Sequence, residues 1–180
     1  MTESDVAAVN WPQVPACYGW LSLNCRGAWQ LKGLPVRHDG LVAFINANYA
    51  PDEDGNWIFR NGPQTVFVAL DYTPLVVRLE RDGSLTAHTG RAAGAVAAAY
   101  LDVEGNVLLQ AAAGIALLDD RDLPVFVAEC HDFAGARATD SALLAAMTGA
   151  AEVYWRGLPL QTISREEVPL RFGFRPTPVP

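Results

Sequence analysis

Cys130-His131-Asp132 is the densest run of catalytic residue types in the chain. A thiol beside an imidazole is the pairing that activates a cysteine nucleophile. Consecutive residues of a strand point to opposite faces, however, so Cys130 and His131 do not readily meet. Cys17, Cys25 and Cys130 with one histidine would supply zinc donors, but no closely spaced cysteine pair starts such a site. Asp52-x-Asp54-Gly55-Asn56 superficially resembles a calcium loop. Trp57 stands where that loop needs glycine and Pro63 where it needs a bidentate glutamate, so the segment reads as a hairpin turn. Asp119-Asp120-Arg121-Asp122 reads as a solvated acidic turn. There is no GxGxxG after a strand, no GxxxxGKS/T, no HExxH and no GxSxG, and Gly90-Arg91-Ala92-Ala93-Gly94 lacks the lysine and hydroxyl of a phosphate loop. Nucleotide hydrolysis and α/β-hydrolase chemistry are disfavoured, and neither a cofactor nor a metal is expected.

Aromatic and cationic residues carry the remaining signal. Of five tryptophans, Trp20, Trp29 and Trp57 fall in the first half, and Trp155 answers Trp29 near the end. Most are expected as core or wedge residues. The sharper expectation is a pocket where two modules meet, lined by Trp29, Trp57 and Trp155 with His38, Arg60 and Arg78 as polar partners. An enzyme using His38 with Asp39, or Cys130, is the competing reading, and an assembly module with open edge strands, able to form a homodimer, is the third.

The elements that must position these residues are legible in part. Leu41, Phe44, Ile45 and Tyr49 are spaced three and four apart, which predicts a one-sided helix with Asp39 as cap and Pro51 as terminator. "TDSALLAAMTGAA" predicts a second helix capped by Asp140 or Thr139 and ending near Gly149. Strand signals surround the turns at Lys32-Gly33, Asp54-Gly55, "NGPQ" and Arg81-Asp82-Gly83. Pro74 belongs at a strand start or edge, and "DDRDLPVFVAEC" reads the same way, as acidic turn, proline and strand. Residues 91–101 admit either an Ala-rich helix or one arm of a hairpin turning at Glu104-Gly105.

Composition bounds the class. The chain has 180 residues, of which 51% are hydrophobic and 18% charged, as in an ordinary folded domain. Its formal charge is −7, and its twelve arginines are scattered singly with one lysine, Lys32, so no basic stripe is present for nucleic acid. No apolar run is long enough to span a bilayer, and the N-terminus lacks the pattern of a secretory signal. With three cysteines, an odd number suited to reduced thiols, the expected compartment is the cytoplasm, and no membrane partner is expected.

Shifted by fifty residues, the chain matches itself at Gly33/Gly83, His38/His88, Gly40/Gly90, Gly55/Gly105, Asn56/Asn106 and Pro74/Pro124. Separately, "KGLPV" after Trp29 returns as "RGLPL" after Trp155. These registers predict an α+β chain of two related modules, each a short antiparallel sheet with a packed helix: a mobile leader 1–10, modules 11–90 and 91–173, and an irregular tail 174–180. Trp11-Pro12, Cys17, Gly27-x-Trp29, Gly33-x-Pro35-Val36, Leu41, Asp54-Gly55, Trp57 and Pro74 resemble an uncharacterised bacterial family catalogued as a domain of unknown function, over about residues 11–90. The resemblance implies two related α+β modules and a role in signalling or ligand sensing, and it carries over no catalytic residue. The expected function is non-enzymatic binding of a small molecule or a protein partner.

Overall fold

The structure, a computed structural model, describes residues 12–180; the leader 1–10 and Trp11 lie outside the described residues. The chain gathers into two compact units. The first holds 12–24, Ala28–Asp71 and Phe174–Pro180; the second holds Cys25–Gly27 and Tyr72–Gly173.

In the first unit, β1 (Ala16–Leu23), β2 (Trp29–Leu31), β3 (Leu34–Pro35), β4 (Tyr49–Pro51), β5 (Trp57–Asn61) and β6 (Gln64–Leu70) form one sheet in the order β3-β2-β1-β6-β5-β4. β1 and β6 run parallel, and the other neighbours are antiparallel. Alternation dictates which face is buried: Leu21 and Leu23 on β1 and Val66, Val68 and Leu70 on β6 are all enclosed. The helix α1 (Asp39–Ala47) buries Leu41 and Ile45, two of the four positions its spacing predicted; it ends before Tyr49 and Pro51, which lie on β4. Its cap is His38, whose Nδ1 accepts from Leu41 N–H at 3.2 Å, and not Asp39, which occupies the first turn. Asn48 closes the other end by donating Nδ2 to Phe44 O at 2.9 Å.

In the second unit, β7 (Leu75–Leu79), β8 (Leu85–Ala87), β9 (Val96–Leu101), β10 (Val107–Ala111), β11 (Gly114–Leu118), β12 (Cys130–His131), β13 (Tyr154–Trp155) and β14 (Leu158–Thr162) form a sheet in the order β12-β13-β14-β9-β10-β11-β7-β8. β7 pairs parallel with β11, and β14 with β9. β10 and β11 read as almost continuous apolar runs and are buried from Val107 to Leu109 and from Ile115 to Leu118, as strands covered on both faces must be. Full burial of each such leucine stabilises the fold by about 2 kcal/mol. Three helices complete the unit: α2 (Leu123–Glu129), α3 (Asp140–Ala146) and α4 (Glu167–Phe172).

The fold is therefore α+β, but its sheets are large and mixed, not the short antiparallel sheets expected. Turn chemistry reports only strands adjacent in the chain. The parallel pairs β1/β6 and β7/β11 join strands far apart in sequence, and they extend each hairpin set into one larger sheet. Of the two readings of residues 91–101, the structure shows the hairpin arm, β9. Pro74 precedes strand β7, whereas Pro124 lies in the first turn of α2, where its fixed φ and missing N–H are tolerated. The segment expected as a strand is thus a helix, entered through a 3₁₀ turn at Asp120–Asp122.

That acidic turn is not simply solvated. Asp119 and Asp122 are buried, Asp119 paired with Arg121 and Asp122 with Arg78. The Arg121 guanidinium holds the Asp119 carboxyl at about 2.

Candidate functional site

A cleft of about 400 Å³ opens in the second unit, within the roughly 300–1,000 Å³ of ordinary small-molecule sites. Three short segments build it. The loop 80–84 between β7 and β8 contributes Gly83 and Ser84. Its shape comes from Glu80 N–H to Ser84 O at 2.9 Å, Gly83 N–H to Glu80 O at 2.9 Å, and Asp82 Oδ1 accepting from both Ser84 N–H and Ser84 Oγ. The stretch leading into β9 contributes Ala92, Gly94, Ala95 and Val96. Gly94 has φ +80°, and a Cβ there would stand 2.8 Å from Ala112 Cβ, so only glycine fits. The tight turn between β13 and β14 brings Trp155, Arg156 and Leu158.

Arg156 takes a left-handed conformation (φ +49°) ahead of Gly157, and this turn aims its side chain along the cleft rim. Its guanidinium lies over the Trp155 ring, 4.5 Å from the centroid. Nε donates to Glu129 Oε2 at 2.7 Å, Nη2 to Glu129 Oε1 at 3.0 Å, and Nη1 to Gly83 O at 2.6 Å. Trp155 itself is buried, stacked on Phe126 at 5.1 Å, and donates Nε1 to Glu129 Oε2 at 2.9 Å. Glu129, at the end of α2, thus ties the tryptophan to the arginine, and the Arg156 hydrogen bonds hold its carboxyl below the usual range against the opposing effect of burial. The rest of the lining is apolar: Leu85, Ala92, Ala95, Val96 and Leu158.

A second hollow of about 420 Å³ in the same unit has hydroxyl and carboxylate groups in its wall, of which those of Ser164, Glu167 and Thr148 serve the backbone. Ser164 N–H donates to Glu167 Oε2 at 2.8 Å while Ser164 Oγ accepts from Glu167 N–H at 3.3 Å, and Thr148 Oγ1 donates to Ala145 O. The first pair is a reciprocal cap for α4.

The residues singled out from sequence divide between the units. Trp29, His38, Trp57 and Arg60 belong to the first, Arg78 and Trp155 to the second. Trp29 and Trp57 are brought together through Tyr49, whose ring lies 4.9 Å from one and 4.7 Å from the other. Trp29 is buried and donates Nε1 to Asn46 Oδ1 at 2.7 Å. His38 caps α1, and Arg60 is exposed on β5. Arg78 is engaged by Asp122 through two bonds of 2.6 and 3.0 Å. Of the six, Trp155 lines the cleft. Arg156 and Glu129 were missed. The "RGLPL" motif pointed at the turn, but nothing local in the sequence links Arg156 to a glutamate 27 residues earlier.

Cys130 is buried, its Sγ donating to Phe126 O at 3.3 Å, and burial pushes its thiol up to about 12. This is the reverse of the lowered pKa that a nucleophilic cysteine needs. Among the described residues no three His, Cys, Asp or Glu side chains are grouped to hold a metal ion, and no helix is long and apolar enough to cross a membrane.

The profile of one protein family, described as "Protein of unknown function (DUF2946)", matches residues 2–179. Comparison with curated proteins finds no match. Among solved structures, the chain is similar to a DUF1285 family protein from Silicibacter pomeroyi DSS-3, at 15% identity and a TM-score of 0.54 over 91% of this chain and 95% of that one. At this identity the likeness shows a shared fold. A DUF1285 family protein from Shewanella baltica OS155 aligns at 16% identity and a TM-score of 0.44, over 61% of this chain and 91% of that one.

Proposed function

The chain belongs to the family described as protein of unknown function DUF2946, and from that premise we propose that it is a non-enzymatic protein that binds a small molecule in the cleft bounded by Trp155 and Arg156. One observation carries the reading: an apolar hollow of ligand size has a single cationic side chain on its rim, and Glu129, Gly83 and the Trp155 ring fix that side chain in place. Binding sites are built this way, with apolar walls for affinity and a few oriented polar groups for selectivity. Preorganisation of Arg156 also lowers the entropy lost on binding.

The thiol state of Cys17, Cys25 and Cys130 supports a reducing compartment, the cytoplasm. The reading also takes the two units as related copies. In support, the orders β2-β1-β6-β5-β4 and β8-β7-β11-β10-β9 agree strand for strand, each with one parallel pair at the same place. A regulatory protein that couples ligand binding in one copy to its partners is the corresponding biological role.

The test is a fragment screen read by amide chemical shifts. Hits are expected to move Gly83, Gly94, Val96 and Arg156, and Ala95→Phe, which fills the cleft, is expected to abolish those shifts. Hits that leave these amides unmoved, or that bind Ala95→Phe equally well, would overturn the proposal.

A further inference from the structure

We infer that the cleft receives an uncharged ligand, an apolar or aromatic body bearing a carbonyl oxygen such as a primary amide or peptide group, with that oxygen held by Arg156. This rests on the reading of the cleft as a binding site and adds the chemistry of its occupant. Arg156 is the one charged side chain among the described residues lining the cleft, and alone it would favour an anion. Glu129 reverses that preference. Its carboxylate takes Nε and Nη2 at 2.7 and 3.0 Å, so the pair carries no net charge. A ligand carboxylate at the rim would meet attraction to the guanidinium that repulsion from Glu129 offsets, on a chain whose formal charge is already −7. It would also lose its hydration on entering an apolar hollow.

Hydrogen bonding does not cancel in this way. A guanidinium has five N–H groups; two are used by Glu129 and one by Gly83 O, which leaves one N–H on each terminal nitrogen. The bond to Gly83 O, at 2.6 Å, is a local precedent, since here Arg156 already donates to an amide carbonyl. The Ser84 hydroxyl is committed to Asp82 Oδ1 at 2.7 Å and does not compete. Around these donors, Leu85, Val96 and Leu158 give the ligand body an apolar bed.

The experiment titrates the full chain with 2-phenylacetamide, phenylacetate and phenethylamine, which share a ring and differ in the charge of the head group. The amide is expected to bind about tenfold more tightly than either ion, a difference of about 1.4 kcal/mol, with little dependence on salt. Glu129→Gln keeps an acceptor for Trp155 Nε1 and removes the counter-charge, so it should turn the preference towards phenylacetate. Equal or tighter binding of phenylacetate by the unaltered protein, or an unchanged order of affinities in Glu129→Gln, overturns the inference while the cleft stands as a site, provided that Ala95→Phe abolishes the binding. No binding of any probe, or binding that Ala95→Phe leaves intact, overturns both the inference and the reading it rests on.

Discussion

The loops 52–56 and 102–106 are written almost alike, Asp-Glu-Asp-Gly-Asn and Asp-Val-Glu-Gly-Asn, and they fold alike. In each, one aspartate oxygen accepts from the backbone N–H groups two and four residues on, at 3.0 and 2.8 Å in the first loop and 2.9 and 2.8 Å in the second. The other oxygen accepts from the asparagine side chain, at 2.9 and 2.8 Å. Each fourth residue is a glycine in the left-handed region, φ +81° and +84°. The surroundings differ. Asp52 keeps contact with solvent, while Asp102 is 1% exposed and receives a fourth bond from Tyr72 Oη at 2.9 Å. Local chemistry thus sets the shape of such a loop, and a contact distant in sequence sets how much energy the loop carries.

The widest separation is expected from the two alanine substitutions. Asp102→Ala strands four donors, one of them the buried Tyr72 hydroxyl, and should cost about 3 kcal/mol, whereas Asp52→Ala strands three around a carboxylate that keeps solvent contact and should cost about 1 kcal/mol. Urea unfolding of both variants measures this. Equal losses would mean that burial and the Tyr72 bond add nothing, and the contrast between the loops would fail. Tyr72→Phe should recover part of the difference, since it removes that bond alone.

A second pair fifty residues apart, His38 and His88, differs in burial, and the more buried member makes stability depend on pH. His38 is exposed at the start of α1. His88 accepts at Nδ1 from Val76 N–H at 3.3 Å and sits under Gly27, where a Cβ would come within 2.6 Å of its own Cβ. Burial pushes its imidazole down from 6.5 to about 4. Between these values the unfolded chain binds the proton and the folded chain does not, so stability rises with pH there. The contribution is complete above 6.5 and is lost as pH falls towards 4. We expect about 2 kcal/mol, somewhat under the full shift because the ring keeps some solvent contact. His88→Asn, which retains an acceptor, should be less sensitive to pH across that window. An unchanged pH profile in His88→Asn would refute the assignment.

What the sequence made legible follows the same division between local and distant. Gly55, Gly83 and Gly105 marked their turns because a left-handed residue leaves a compositional trace. Leu41 and Ile45 marked the buried side of α1, and Thr139 the start of α3, whose side chain accepts from Ala142 N–H. Val125, Phe126 and Val127 read as strand because β-branched and aromatic residues favour one. Pro124 could begin either a strand or a helix, and burial of Phe126 against Trp155 accompanies the helical choice. The parallel pairs and the Arg156–Glu129 bond left no trace, since each depends on where a remote segment comes to rest. The six-residue set chosen for a pocket therefore captured Trp155 and not its partners.

The two tight turns give the finest test. Lys32-Gly33 and Arg156-Gly157 adopt nearly the same conformation, φ +48° and +79° against +49° and +80°, and each follows a buried tryptophan. Asparagine tolerates the left-handed region better than either basic residue. At position 32 this gain offsets the loss of the Lys32 ammonium over Trp20, 3.6 Å from the ring and worth about 0.5 kcal/mol, so Lys32→Asn should be close to neutral. At position 156 the same gain meets the loss of three hydrogen bonds and the stacking over Trp155, and the partly exposed pair with Glu129 is worth about 1 kcal/mol. Arg156→Asn should then be destabilising by about that amount in thermal unfolding. If both substitutions prove neutral, Arg156 contributes nothing to the fold, its bonds to Glu129 and Gly83 are too weak to hold it rigid, and the cleft loses the fixed donor on which its selectivity depends.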